Sequence, residues 1–439
     1  MNTTPSPHTL EAWLERLEVR HPQAVDLGLD RCRAVWQRLG SPRPARSIFV
    51  VAGTNGKGST VATICGLLDG LGYRYGSYTT PHLHRYNERV QLLGQPVSDE
   101  QLLAAFERVE AALHGTSLTY FEFGTLAAFQ ILATAGLDYA VLEVGLGGRL
   151  DAVNLVDADV AVITPIGLDH QEYLGTDLDS IGREKAGIIR PGRPVVCGEE
   201  NPPPSVLAVA AGQGAPLRRL GVDFRVSAAG TGVCYAANGV ELQLPRPALR
   251  GPHQLDNLAT AVSAVLQCIP AAAHDLAGLQ RGLRSVRVPG RFERMSGRFG
   301  RSGGAKGQGP VVWIDVGHNP LAARAVAAAL EKVKAAGEVR NCRCVLGMLA
   351  DKDAGGTVRE LRRVISQWYC ASLPGGRGQS AEQLAGRIGD AAGPAPLRTF
   401  DRVETALDAA LADSAPHDGV LVFGSFLTAA AARSHVVTR

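Results

Sequence analysis

The sequence predicts an α/β protein in two unequal parts, each a parallel sheet covered by helices, and three observations carry that prediction. Short apolar runs alternate with helical stretches along almost the whole chain, a rhythm that buries parallel strands beneath helices. Several of these runs end in polar or glycine residues, as strands do where a parallel sheet opens onto a ligand edge. The rhythm breaks once, at the glycine-rich, basic stretch 296–310 (SGRFGRSGGAKGQGP), and then restarts.

Taken in order, residues 47–52 (SIFVVA) read as a buried strand, followed by a glycine-rich turn and a helix over 59–71. Residues 139–144 (YAVLEV) and 160–164 (VAVIT) read as two more buried strands. The stretch 296–310 has little to bury and reads as a flexible insertion. Beyond it, 311–315, 344–348, 368–373 and 420–423 read as strands of a second, smaller Rossmann-like domain. The expected division is therefore 1–290 and 291–439.

Composition narrows the classes. A chain of 439 residues with 45% hydrophobic and 20% charged residues has the make-up of two or three globular domains. Lys and Arg number 45 against 42 Asp and Glu, a net charge of +3, which argues against a nucleic-acid partner. The N-terminus lacks the basic-then-apolar order of a signal peptide. No run of 18 apolar residues is present, so neither a membrane helix nor a membrane partner is expected. The eight cysteines are scattered, and Cys342 and Cys344 stand too close for a zinc pair. Reduced, buried thiols in a cytoplasmic protein are the expectation.

The stretch 50–59 (VVAGTNGKGS) lies between the first strand and its helix. Its glycines let the backbone turn tightly and bring N–H groups against phosphate oxygens, and the helix start adds the positive end of its dipole. Lys57 reaches outer phosphates as a compact charge. A glycine-rich turn with an exposed lysine would look similar, but strand, glycines, lysine and helix stand in the order that nucleotide binding requires. Thr54, Asn55, Gly56, Lys57, Gly58 and Ser59 are therefore expected at ATP. The general phosphate-loop pattern places glycine at Val51 and a hydroxyl at Gly58, whereas here the hydroxyl comes at Ser59. That displacement weakens a kinase or GTPase reading and makes the N-terminal part a phosphate-loop-containing ATPase domain of another group.

Glu143 ends an apolar strand and His170 follows another by a few residues, which puts both at the carboxyl edge beside this loop. A carboxylate, an imidazole and a hydroxyl together can hold Mg²⁺ that keeps its waters and bridges phosphates. Taken alone, Glu143 reads equally well as a structural carboxylate and His170 as a loop histidine, since hard Mg²⁺ prefers oxygen. Lys185, taken alone, reads as a lysine paired with Glu184 or Glu172 on a solvated helix. The run 145–148 (GLGG) is a dinucleotide fingerprint with its third glycine missing.

GTNGKGS at 53–59 resembles the form found in folylpolyglutamate synthases and dihydrofolate synthases of the Mur ligase superfamily. Further segments resemble that family in the same order: TPHL at 80–83, RYNERV at 85–90, TYFEFGT at 119–125 and LEVGLGGRLDAVN at 142–154. After them come LDH at 168–170, GREKAGI at 182–188, PGRF at 289–292, DVGHNP at 315–320 and GSF at 424–426. AVDLGLDR at 24–31 looks like the dihydropteroate-binding segment of the bifunctional bacterial enzymes. Peptidoglycan ligases typically have Thr where Gly58 stands, and an extra N-terminal domain that is not expected here.

The resemblance implies an ATP-dependent ligase that joins L-glutamate to dihydropteroate and to folates. An amide does not form directly from a carboxylate and an amine, so the γ-phosphoryl of ATP would first make an acyl phosphate. Positioning and positive charge are what such a transfer needs. The resemblance further implies two Mg²⁺ ions held with Thr80, Glu143 and His170, Thr80 standing where the family more often has Ser. Lys185 would be carbamylated by CO₂ into a carboxylate-like metal ligand. Ala24, Val25, Asp26, Leu27, Thr119, Phe121, Arg149, Leu150 and Asp151 would line the pterin side, although Phe121 could be plain core. Asn257, Arg291 and Asp315 would touch ATP, the last two across a domain cleft, and His318 and Ser425 the incoming glutamate. Lys57, Lys185 and His318 are the expected catalytic groups of a monomeric enzyme. Folylpolyglutamate synthesis alone, a Mur-type ligase on another acid, and a nucleotide switch without ligase chemistry are the competing readings.

Overall fold

The structure is a computed structural model that describes residues 7–23, 25–295 and 309–437. The chain divides into two compact units, Met1–Ala248 with Leu255–Val286, and Leu249–Gln254 with Arg287–Arg439. Of the expected insertion at 296–310, residues 296–308 lie outside the described residues, as does Ala24.

The first unit is built on eight strands: β1 (Ser47–Ala52), β2 (Tyr75–Tyr78), β3 (Val90–Leu92), β4 (Gln95–Pro96), β5 (Tyr139–Glu143), β6 (Val160–Ile163), β7 (Val195–Cys197) and β8 (Leu217–Arg219). Their order is β4-β3-β2-β5-β1-β6-β7-β8. The six from β2 to β8 in that order run parallel, and β3 and β4 add an antiparallel edge. Strand β1 is apolar throughout because both of its faces are covered. Ile48, Val50 and Ala52 enter one core and Phe49 and Val51 the other.

On the first face, helix Tyr120–Thr134 starts from a capping box in which Thr119 and Glu122 satisfy each other's backbone amides. Its Phe123 packs on Trp13 and Phe106, and its Phe129 on Trp36. The opposite face carries helix Lys57–Gly70 packed on helix Leu276–Ser285.

One element departs from the expected α/β rhythm. Strands β9 (Phe224–Ala229), β10 (Gly232–Ala237) and β11 (Val240–Pro245) form a separate antiparallel meander. Asn238 and Gly239 both adopt positive φ between β10 and β11, and a two-residue turn of that kind can join only antiparallel neighbours.

The second unit has six strands, β12 (Glu293–Arg294), β13 (Val311–Ile314), β14 (Cys342–Leu346), β15 (Gln367–Ala371), β16 (Leu397–Phe400) and β17 (Gly419–Phe423), in the order β12-β13-β17-β14-β15-β16. All pairs but β12–β13 are parallel. Its core gathers Trp313, Leu346, Trp368 and Phe423 beneath helix Pro320–Ala335. The chain is thus an α/β protein with a phosphate-loop parallel-sheet domain followed by a smaller Rossmann-like domain. The eight cysteines are free thiols, six of them buried and two half-buried. No helix among the described residues is long and apolar enough to cross a membrane.

Candidate active site

Strand β1 delivers the chain into the 53–59 loop at the carboxyl edge of the sheet. Gly53 has φ +146, and a Cβ there would lie 1.8 Å from Thr164 Oγ1, so only glycine fits. The Thr54 and Asn55 amides donate to the Pro165 carbonyl at 2.9 and 3.3 Å, and Thr54 Oγ1 exchanges hydrogen bonds with Gly167 N and O. The loop is thereby tied to the segment that leaves β6. Gly56, with φ +91, caps helix Lys57–Gly70, and a Cβ on it would lie 2.5 Å from Asn257 Oδ1. Asn257, 3% exposed, therefore stands at this helix start. The first intrahelical bond runs from Thr60 N to Gly56 O, so the preceding amides lie outside the ladder, as an anion site requires.

Two lysines converge on one oxygen. Lys57 Nζ donates to the carbonyls of Gly53 and Thr54 at 3.0 and 3.2 Å, and Lys185 Nζ donates to the Gly53 carbonyl at 3.0 Å. Lys185 is 4% exposed within helix Leu178–Ala186. Burial first, and the Lys57 charge second, bring its pKa down to about 7, against the opposing pull of Asp169, Asp151 and Glu184. This overturns the solvated-lysine reading. Glu184 is engaged by Arg149, whose guanidinium donates to Glu184 Oε1 at 2.8 and 3.0 Å.

Glu143 is buried at the end of β5, and Thr80 N donates to its Oε2 at 3.3 Å. Thr80 and Glu143 are thus neighbours. His170 adopts φ +51 and caps the short helix Gln171–Leu174, with Asp169 Oδ1 accepting from its amide at 2.9 Å. Among the described residues no three His, Cys, Asp or Glu side chains cluster as a metal site by themselves. The Thr80 hydroxyl and the Glu143 carboxylate would offer a cation the oxygen donors that suit a hard ion retaining waters, and His170 would add a nitrogen donor, which such an ion takes less readily.

Of the described residues expected on the pterin side, Asp26, Thr119, Phe121 and Asp151 sit in a linked set of contacts. Phe121 stacks on Tyr78 with centroids 6.2 Å apart, and its ring occupies the space a Cβ on Gly145 would need. Asp151 is buried, its carboxylate accepts from Leu146 N and Val153 N, and burial raises its pKa to about 6. Thr119 caps its helix with its hydroxyl, which donates to Glu122 Oε2 at 2.9 Å. Val25, Asp26 and Leu27 are half-buried. Arg149 is exposed and Leu150 half-buried. Sequence reasoning missed Arg31, which donates to Asp26 Oδ2 at 2.6 Å and to Glu122 Oε2 at 3.0 Å, clamping this segment to the helix that carries Phe121. It stands inside the quoted 24–31 motif, which was the available signal.

In the second unit, Asp315 follows β13 and accepts from Phe292 N and Gly317 N at 2.8 and 2.7 Å. Burial raises its pKa while Arg291 opposes the rise. The Arg291 guanidinium lies 5.6 Å from the Phe426 ring centre. His318 also follows β13, with Nδ1 3.1 Å from Val316 O. Ser425 follows the neighbouring strand β17 and accepts from Thr428 N at 3.0 Å. Both residues expected at glutamate therefore leave adjacent strands of one sheet edge.

This arrangement has counterparts among known proteins. Residues 51–265 match the Mur ligase middle domain and residues 290–426 the Mur ligase glutamate ligase domain. The dihydrofolate synthase/folylpolyglutamate synthase of Escherichia coli is 43% identical over 422 residues, covering 96% of this chain and 94% of that protein. The chain belongs to the dihydrofolate synthase/folylpolyglutamate synthase family of Mur ligases. The Mycobacterium tuberculosis protein of the same description is 33% identical over 98% of this Mur ligase and 95% of its own length. Escherichia coli FolC in complex with DHPP and ADP superposes with a TM-score of 0.89 at 41% identity, covering 99% of this chain and all of that one. A Yersinia pestis bifunctional folylpolyglutamate synthase/dihydrofolate synthase complexed with AMPPNP and Mn ion gives 0.87 at 42% identity, covering 98% and 99%. This Mur ligase is accordingly an ATP-dependent enzyme of glutamate ligation.

Proposed function

We propose that this enzyme adds L-glutamate to 7,8-dihydropteroate and, through the γ-carboxylate, to tetrahydrofolates, by way of an acyl phosphate. The observation that carries the reading is the convergence of Lys57 and Lys185 on the Gly53 carbonyl, at a helix start that has glycine where a side chain would collide. The amides of 56–59 and the Lys57 ammonium hold the transferring phosphoryl oxygens, with Asn257, Arg291 and Asp315 on the nucleotide. Two Mg²⁺ ions, held with Thr80, Glu143, His170 and a carbamate on Lys185, would supply charge neutralisation to the phosphates. The depressed pKa of Lys185 supports the carbamate, because only a neutral amine adds to CO₂. Val25, Asp26, Leu27, Thr119, Phe121 and Asp151 form the pterin side, and His318 and Ser425 receive glutamate, whose amine then displaces phosphate from the acyl carbon.

Incubating the purified protein with Mg²⁺, ATP, glutamate and either dihydropteroate or tetrahydrofolate tests this directly. One ADP and one glutamylated pterin per turnover are expected. ATP bound without any amide product would defeat the reading, and product from tetrahydrofolate alone would restrict it to folylpolyglutamate synthesis.

A further inference from the structure

Arg89 is a buried cation that the roles assigned above leave unused. It closes the turn Tyr86–Arg89, immediately before β3, and is 8% exposed. Its Nε donates to His82 Nδ1 at 2.9 Å, and its guanidinium carbon lies 5.0 Å from the Tyr86 ring centre and 5.4 Å from that of Tyr120. Among the described residues no carboxylate pairs with it. The acids of the surrounding elements are engaged elsewhere: Glu88 by the Leu83, His84 and Arg85 amides, Asp99 by Arg85 and Asn87, and Glu122 by Arg31 and Thr119. Nor is His82 a counter-ion, since burial and Arg89 itself bring its pKa down to about 4.

Two ring faces and a neutral imidazole offset only part of the cost of taking a cation out of water. The Nη groups have no hydrogen-bond partner among the described residues, yet they are not sealed from solvent. A site of this kind is complete only with an anion in it, and a planar fork of N–H donors matches a carboxylate. Its location agrees. The Arg89 carbonyl accepts from Thr79 N, next to Thr80, while Tyr120 stands between Thr119 and Phe121. Arg89 therefore joins the chain at the phosphate edge to the helix of the pterin group.

We propose that Arg89, its guanidinium held against the rings of Tyr86 and Tyr120, is a carboxylate receptor that binds a carboxylate of the acid to be glutamylated. This rests on the ligase reading given under Proposed function. The test measures kcat and KM of the full-length protein for dihydropteroate, tetrahydrofolate and ATP in wild type, Arg89→Gln and Arg89→Lys. Arg89→Gln should raise KM for the acid at least tenfold and leave KM for ATP within twofold, with Arg89→Lys between.

A second measurement stands apart from turnover. Wild type should bind pteroate at least tenfold more tightly than pteroate methyl ester, followed by fluorescence quenching, and Arg89→Gln should bind the two alike. If the Gln variant does not fold, the same comparison with Arg89→Lys decides. Equal binding of acid and ester by wild type, or unchanged acid KM in Arg89→Gln, overturns the proposal. Absence of product from wild type would instead defeat the ligase reading, and the acid-against-ester comparison would still judge Arg89.

Discussion

Lys185 carries the most exacting prediction. Its Nζ and that of Lys57 each lie 3.0 Å from the Gly53 carbonyl oxygen, so the two nitrogens are within about 6 Å of one another. Two unit charges at that separation repel by about 3 kcal/mol at an effective dielectric near 20, equivalent to about two pKa units. Burial acts in the same direction and more strongly, and the outcome is a pKa of about 7. At pH 7.5 about three quarters of such an amine is neutral, against about one part in a thousand at the ordinary value. The fold thus raises the fraction able to attack CO₂ by nearly three orders of magnitude.

Wild-type protein equilibrated with ¹³C-labelled bicarbonate should show a carbamate resonance that grows with pH about a midpoint near 7 and is absent from Lys185→Ala. Lys57→Met removes the repulsion and should move that midpoint upward by about one to two units. Activity should fall in CO₂-free buffer and return with bicarbonate, and Lys185→Ala should regain part of its activity with short carboxylic acids. A wild-type spectrum without carbamate at pH 8, with turnover indifferent to CO₂, would refute the reasoning.

The remaining predictions concern the loop, the clamp and the pH dependence of folding. Lys57→Ala should reduce ATP turnover by at least about 100-fold, since it removes a charge aimed at the transferring phosphoryl group; wild-type rates in a phosphate-release assay would show the loop misread. Gly53→Ala should cost about 2–4 kcal/mol in urea unfolding through collision with Thr164 and the positive φ, and Thr164→Ser should not rescue it, because Oγ1 is retained. Arg31→Ala removes the cation shared by Asp26 and Glu122, so stability should drop by about 1–3 kcal/mol and KM for dihydropteroate should rise while KM for ATP does not. Without CO₂, the folded state holds Lys185 neutral above about pH 7, while the unfolded chain keeps that proton up to its ordinary value near 10.5. The unfolded state then binds more protons, so stability should rise with pH across that window. Lys185→Met should flatten the rise in a pH series of melting curves.

Much of this was legible along the chain because it is local. An apolar run buried on both faces, a glycine turn and a helix start are contiguous in sequence, so the 53–59 loop and Glu143 could be placed at a sheet edge from pattern alone, whereas Thr80 came only from the family resemblance. The antiparallel meander also left a mark, in the Asn238–Gly239 pair, which the reading of an α/β rhythm did not take up. Lys185 could be read from its own surroundings only as a solvated lysine, since its immediate neighbour is an acid. That acid is taken by Arg149, a partner 35 residues away in sequence that no local pattern reveals.

The sequence by itself determined the α/β class, the nucleotide loop and the order of the motifs, because periodicity and backbone freedom are properties of neighbouring residues. Only the tertiary structure decided the electrostatics: that Lys57 and Lys185 share one carbonyl oxygen, that Arg31 locks Asp26 to Glu122, and that Arg89 is buried with no acid paired to it among the described residues. Charge state depends on desolvation and on which distant groups are brought within a few ångströms, and neither is set until the chain has folded.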